Sequence, residues 1–283
     1  MRSERQCTLA RTCEFEPGVG LHSGLTVRMR CRPAPEGYGI RFCRADLPGA
    51  PEIPAVLDQV IAEELTRRTA LAVRPGVEVN TVEHVLAACC GLGLDNLRVE
   101  VDGAEIPFFD GSAALVAEAL LNAGIQEQEA PRQFFSIERP FVFREDMVEI
   151  VALPSEEFRL TFFVDYAHPA IGAQSASLAI AREAFRREIA PARTFCLEQE
   201  VEPLRAAGLI RGGSADCAIV FGHSGPLNTD LLCPNEPARH KLLDLLGDVY
   251  LLGRRLRGHI LASRSGHRSN IAFLRQLRKE FDR

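Results

Sequence analysis

Residues 239–248 read RHKLLDLLGD, inside a segment (236–253) with the periodicity of a long helix. His240, Asp244 and Asp248 recur every fourth residue, while Leu242, Leu243, Leu245 and Leu246 fill the other directions. On a helix, residues four apart lie on one face, with Cβ atoms about 5–6 Å apart. The leucines pack a core, so this helix carries a line of ionisable groups along an otherwise apolar body. His240 and Asp244 can hold one cation between them, and Asp248 lies a further turn along the same stripe.

A metal with an open position for water takes three protein ligands. The third comes from elsewhere in the chain, beside a base able to deprotonate that water. TVEHVLAACC (81–90) offers such a pair at the start of another apolar helix: His84 as ligand and Glu83 as base. Adjacent helical residues point about 100° apart, so both can face one site without competing for the ion. Plainer readings exist for each piece. Asn80 and Glu83 fit a capping box, and His240 with Asp244 fits an ordinary ion pair across one helical turn. Two histidines and a carboxylate also suit Fe(II) in an oxygenase. A third piece is SGH at 265–267, where His267 follows a strand in a Gly-flanked loop; a carboxylate such as Asp248 would raise its pKa and fix its tautomer.

The chain as a whole suits one large or two medium domains at 283 residues. Strand-like alternation fills 7–60, a helix runs from about Thr81 to Gly91–Gly93, a strand covers 95–103, and a helix within 110–124 can be capped by Asp110 or Ser112. The polar, aperiodic stretch QEQEAPRQ (126–133) marks a boundary, giving halves 1–128 and 129–283. Strands then recur, followed by a helix-like stretch (177–190), the long helix at 236–253, a strand at 259–265, and a basic tail at 275–283 that reads as a frayed helix end. Strands followed by helices, twice over, predict an α+β chain of two related two-layer halves.

The formal net charge of −5 argues against a nucleic-acid binder held by bulk electrostatics. Nine cysteines, two of them adjacent and none in C-x-x-C, argue against a disulfide framework or an all-cysteine zinc site and fit reduced thiols of a cytoplasmic protein. No stretch reaches the roughly 20 apolar residues of a membrane span, so any membrane contact is peripheral. Composition does not give an oligomeric state.

GVGLHSG (18–24), RPAP (32–35), TVEH (81–84), GLGLDN (91–96), EIPFFDGSA (105–113), HPAI (168–171), ARTF (192–195), GGSADCAIV (212–220), RHKLLDLLGD and SGH occur in this order. In these motifs the chain resembles the UDP-3-O-acyl-N-acetylglucosamine deacetylases, zinc amidases of lipid A synthesis, from about residue 7 to about residue 270. The resemblance implies two α/β halves, each a mainly antiparallel sheet with helices on one face, and a site in the cleft between them. It implies a β-α-β flap at about 194–221 that makes a passage for the fatty acyl chain of a UDP-sugar lipid, with Leu197, Val201, Leu204, Leu209 and Ile210 available for its inner face. It implies Zn²⁺, with Fe²⁺ as the alternative in the cell, on His84, His240 and Asp244. Glu83 would be the general base, His267 the general acid oriented by Asp248, Thr194 an oxyanion donor, and Lys241 a contact to the anionic substrate. Phe195, Leu197, Gly213, Arg264 and His22 would meet the substrate as well. A zinc deacetylase of another N-acetylated sugar and a non-catalytic binding homologue are the rival readings. The sequence departs from the family at Leu153, where a basic residue is usual, at Ser263-Arg264 in place of Tyr-Lys, and at Gly24-Leu25. Contacts to the diphosphate then fall to Arg264 or Lys241.

Overall fold

The computed structural model describes residues 4–281. Two sheets dominate it. The first runs in the order Cys13–Glu14, Met29–Pro33, Leu97–Val101, Ile40–Arg44, Glu52–Pro54. The second runs Phe141–Glu145, Val148–Leu153, Arg255–Ser263, Phe158–Asp165, Ala173–Ala179, with Phe134–Ser136 also pairing to Arg255–Ser263. In each sheet the central strand is the last in sequence. It lies antiparallel to one neighbour and parallel to the other. The repeat expected from the sequence is therefore one of topology: the same strand order and sense of pairing, built from unrelated residues.

Each central strand follows a buried helix. These are α1 (Glu83–Leu92) before Leu97–Val101 and, in the second half, the helix Glu236–Tyr250 before Arg255–Ser263. Between them come α2 (Ala114–Asn122), α3 (Arg182–Glu188) and α4 (Glu198–Ala206); the Glu236–Tyr250 helix is therefore α5, and α6 (His267–Phe281) ends the described chain. All ten residues of α1 are buried, as its apolar composition requires. It stops at Gly93, whose left-handed φ of 84° places its N–H on the carbonyls of Cys89 and Cys90. The central strand Arg255–Ser263 alternates strictly, burying Leu256, Gly258, Ile260 and Ala262.

α1 packs directly on α5. The contact is close because Gly247 of α5 has no side chain: a Cβ there would stand 2.1 Å from the carbonyl oxygen of Glu83. The opposite end of α1 is held by three arginines. Arg255, Arg182 and Arg132 donate to the carbonyls of Cys90, Leu92 and Gly93, at the end where the carbonyls lack a following turn. Arg132 is also doubly hydrogen-bonded to Asp95, with both side chains largely buried. Arg132→Met strands that carboxylate, leaving it only the Cys7 N–H. The expected cost is about 3 kcal/mol in denaturant unfolding; a loss within error of zero would show that water replaces the guanidinium freely.

Four elements differ from the sequence expectation. The 126–133 stretch, expected as an irregular boundary, is largely a strand, Ile125–Pro131, paired antiparallel with Arg5–Leu9. Both strands are polar because this two-stranded ribbon is half exposed, which hides its period. Of the helix-like stretch 177–190, the first residues end the strand Ala173–Ala179 and only Arg182–Glu188 is helical. Of the 275–283 tail, residues up to 281 are regular helix and 282–283 lie outside the described residues: α6 runs from His267 to Phe281 and buries Ile271, Phe273, Leu274 and Leu277. His267 is accordingly the first residue of a helix and not a loop residue. The residues expected to cap the first helix are otherwise engaged, since the Asn80 amide donates to the Ala104 carbonyl. All nine cysteines are free thiols.

Candidate active site

The crossing of α1 and α5 brings the two motifs together. His84, His240 and Asp244 are buried, and one ligand atom from each lies within 4.8 Å of the other two. His84 Nε2 stands 3.6 Å and His240 Nε2 3.5 Å from Asp244 Oδ1. These separations suit a metal site. They exceed the 2.7–3.2 Å or so of a nitrogen–oxygen hydrogen bond, and they match the roughly 3.4 Å between donors that each sit about 2.0–2.1 Å from a tetrahedral ion. The ring orientation agrees. His240 Nδ1 lies 3.1 Å from the Ala192 carbonyl, which can only accept, so Nδ1 carries the proton and Nε2 keeps its lone pair. Burial lowers the His240 pKa to about 4, which keeps that lone pair free of a proton. Burial would raise the Asp244 carboxyl, but Lys241, His240 and the nearby His84 ring hold it well below the usual carboxylate range. Lys241 Nζ donates to Asp244 Oδ2 at 2.6 Å. Two imidazoles and one carboxylate fit a divalent cation.

Glu83 and His267 flank this group. Glu83 is buried, and burial raises its pKa against the opposing pull of His267 and His84. Its Oε2 accepts the Thr69 N–H at 3.0 Å. His267 Nε2 lies 3.9 Å from Glu83 Oε1 and 4.0 Å from Asp244 Oδ2. Its other nitrogen, Nδ1, is 2.9 Å from Asp248 Oδ2. Burial alone would lower the pKa of this ring; Asp248, with Glu83 and Asp244, overcomes it and pushes the value up to about 9. Asp248 is fully buried behind His267, where Thr69 Oγ1 and Asn270 Nδ2 also donate to it.

The group opens into a cavity of about 730 Å³, within the range of small-molecule sites. Thr194, Phe195, Lys241, His22, Leu197 and Gly213 all line it. The segment after Thr194 forms a β-α-β flap over one side of the cavity: Phe195–Leu197, α4, then Ile219–Gly222 parallel to the first strand. Leu197, Val201, Leu204 and Ile210 present its apolar face to the cavity, whereas Leu209 lies outside it. Arg264 does not line the cavity either; it pairs with Asp165, and the cationic side chains at the wall are Arg67, Arg205, Arg268 and Lys241.

The flap is fastened to the first half of the chain. Gly212 N–H donates to the Leu21 carbonyl, Thr194 N–H to the Gly111 carbonyl, and Arg67 pairs with Glu200 of α4 at 2.5 Å. Behind the 20–24 turn, Glu105 accepts the N–H groups of His22 and Ser23 and the Thr81 hydroxyl. Thr81 holds a left-handed φ of 63°, unusual for a β-branched residue, two positions before Glu83. Arg67 and Ile210, both at the cavity wall, are likewise left-handed. The sequence reading missed Thr69, Glu105 and Asn270. Glu105 sits within a motif that was noticed, and the other two carry no pattern of their own.

Comparison with known proteins agrees with this geometry. The family model for UDP-3-O-acyl N-acetylglycosamine deacetylase matches residues 6–279. A UDP-3-O-acyl-N-acetylglucosamine deacetylase of Myxococcus xanthus is 44% identical over 97% of this chain and 87% of its own length. One from Nostoc sp. is 41% identical, covering 96% and 98%. A bifunctional enzyme LpxC/FabZ of Chlorobaculum tepidum is 43% identical over 94% of this chain, which spans 62% of that relative's length. With a match along nearly its whole length and relatives above 40% identity, the chain belongs to the UDP-3-O-acyl N-acetylglycosamine deacetylase family.

Proposed function

We propose that the protein hydrolyses the N-acetyl group of UDP-3-O-acyl-N-acetylglucosamine, giving the free 2-amino sugar and acetate, as a zinc-dependent amidohydrolase of lipid A biosynthesis. The observation that carries this reading is the buried trio of His84, His240 and Asp244 with Glu83 and His267 on its flank. The trio would hold Zn²⁺, or Fe²⁺ where that is the ion supplied. When bound, the ion would supply Lewis acidity and make a water easier to deprotonate near neutral pH.

Glu83 takes the proton from the water that attacks the acetamide carbon. The Thr194 hydroxyl, at the cavity wall, donates to the oxygen on which charge develops. His267 Nε2 faces the same space and gives its proton to the departing nitrogen, while Asp248 holds the ring from behind. Lys241 fixes Asp244 and presents positive charge to the anionic substrate. The acyl chain lies along the apolar face of the flap, between Leu197, Leu204 and Ile210, with Phe195 and Gly213 beside it. His22 stands near the cleft with Nε2 buried and without a hydrogen-bond partner among the described residues, an atom suited to a polar group of the substrate. Arg67, Arg205 and Arg268 take over the diphosphate contact that Arg264, tied to Asp165, does not offer. The site then lies between two halves, residues 1–128 and 129–283.

Among the described residues no helix is long and apolar enough to cross a membrane. Nine free thiols are consistent with work in the cytoplasm, on substrate met at or near a membrane surface.

The test pairs elemental analysis with acetate release. The purified protein is expected to hold about one zinc or iron per chain and to release acetate from the 3-O-acylated UDP-sugar much faster than from UDP-N-acetylglucosamine. Equal rates on both would replace this substrate by a simpler N-acetyl sugar. His240→Ala is expected to fold and to lose most of its metal; full stoichiometry in that variant would remove His240 from the ligand set.

A further inference from the structure

We infer that Thr69 is a positioning residue that ties the general base to the general acid. The side chain is completely buried, just before the strand Ala70–Arg74, and follows the left-handed Arg67 by two residues. Its backbone N–H donates to Glu83 Oε2 at 3.0 Å. Its hydroxyl donates to Asp248 Oδ1 at 2.7 Å and lies 3.1 Å from His267 Nδ1. One residue therefore touches Glu83, Asp248 and His267 at once.

Hydrogen-bond counting fixes the proton on His267. The Thr69 hydroxyl has a single proton, and Asp248 Oδ1, an acceptor only, takes it. The Thr69 oxygen then faces His267 Nδ1 with a lone pair. The second neighbour of Nδ1, Asp248 Oδ2 at 2.9 Å, is an acceptor too. Nδ1 thus carries a proton between two acceptors, and Nε2 is the nitrogen that exchanges its proton on the cavity side. Asn270 Nδ2 holds Asp248 Oδ2 from the other side, so the carboxylate cannot turn to make up for a lost hydroxyl. Thr69→Val keeps the shape and the backbone N–H to Glu83 while removing the only hydroxyl that orders this array.

The kinetic arm of the test rests on the proposed deacetylation; the spectroscopic arm does not. In the zinc-loaded enzyme, Thr69→Val is expected to keep its metal and a KM within about 3-fold, and to lose about 10–100-fold in kcat, the usual effect of removing a hydrogen-bond partner behind a functional group. Thr69→Ser restores most of that turnover, because it returns the hydroxyl. Placed on His267→Ala, Thr69→Val adds no further loss, since the ring it acts through is gone. A kcat for Thr69→Val within twofold of the parent, or an equal loss in Thr69→Ser, overturns the inference.

Proton spectra of the ¹⁵N-histidine-labelled protein test the same contact without substrate. A protected, downfield Nδ1–H of His267 is expected in the parent and in Thr69→Ser, displaced in Thr69→Val. An unprotonated Nδ1 in the parent, or an unmoved resonance in Thr69→Val, overturns the inference. If the parent shows the expected Nδ1–H yet releases no acetate, the deacetylation reading fails while the Thr69 arrangement stands. Should Thr69→Val not fold, the parent spectrum and the Thr69→Ser kinetics still decide.

Discussion

Glu83→Gln is expected to bind metal as the parent does and to lose about 10²–10⁴-fold in kcat, the scale of a missing acid–base group. That corresponds to roughly 3–5 kcal/mol of barrier. The prediction separates base from ligand because Glu83 sits beside the trio and outside it. Its Oε2 is held by the Thr69 N–H, which an amide oxygen can also accept, so the side chain keeps its place. Glutamine has no carboxylate to take a proton, and its shape is otherwise retained. Elemental analysis and steady-state kinetics on one preparation check both halves of the statement. Turnover near the parent value at normal metal content would take Glu83 out of the mechanism. Low turnover with low metal would move it into the coordination set.

Gly247→Ala carries the second large effect, and two forces disagree about its sign. Helix propensity favours alanine over glycine by about 1 kcal/mol. Packing opposes it: the new Cβ would meet the Glu83 carbonyl oxygen at 2.1 Å and its carbonyl carbon at 2.8 Å. Those are backbone atoms of a helix buried on every side, so neither can swing away. Packing wins, because relief requires α1 and α5 to separate. The expected outcome is a net destabilisation of about 1–3 kcal/mol. It comes with weaker metal retention and a kcat lowered by about 10²-fold, as a displacement near 1 Å between reacting groups produces. Thermal unfolding and metal titration on the same variant check it. A raised melting temperature with full activity would show that the helices adjust at no cost to the site.

The chemistry was more legible in the sequence than its supports. His240 and Asp244 announce themselves because a fourfold spacing on a leucine-rich helix has one geometric meaning. Glu83 and His84 are legible as neighbours that open an apolar helix. What brings the pairs together is Gly247, and a glycine inside a helix says nothing in one dimension about the backbone it must admit. Thr69 was invisible for a related reason. It reaches Glu83 over 14 residues and Asp248 over 179, from a turn with no periodicity. His267 was read as a loop residue because Ser265 and Gly266 precede it; the stripe Ile271, Leu274, Leu277 that makes it the start of α6 was hidden among arginines. The two-stranded ribbon at Ile125–Pro131 was hidden by its exposure, since strands without a buried face do not alternate in hydrophobicity. Arg264 was chosen for its charge, and the left-handed backbone that turns it toward Asp165 leaves no trace in composition.

The three guanidiniums on the last carbonyls of α1 bear on how a bulky lipid gets in and out. They pin one end of the helix, while contact with the Gly247 backbone pins the other, so scissoring of the two catalytic helices would break both fastenings together. The flap is tied by a few main-chain hydrogen bonds and a partly exposed Arg67–Glu200 pair, which are far easier to release. Parting this wall from the first half breaks fewer and weaker contacts than parting α1 from α5, so the two helices that carry His84 and His240 hold their spacing.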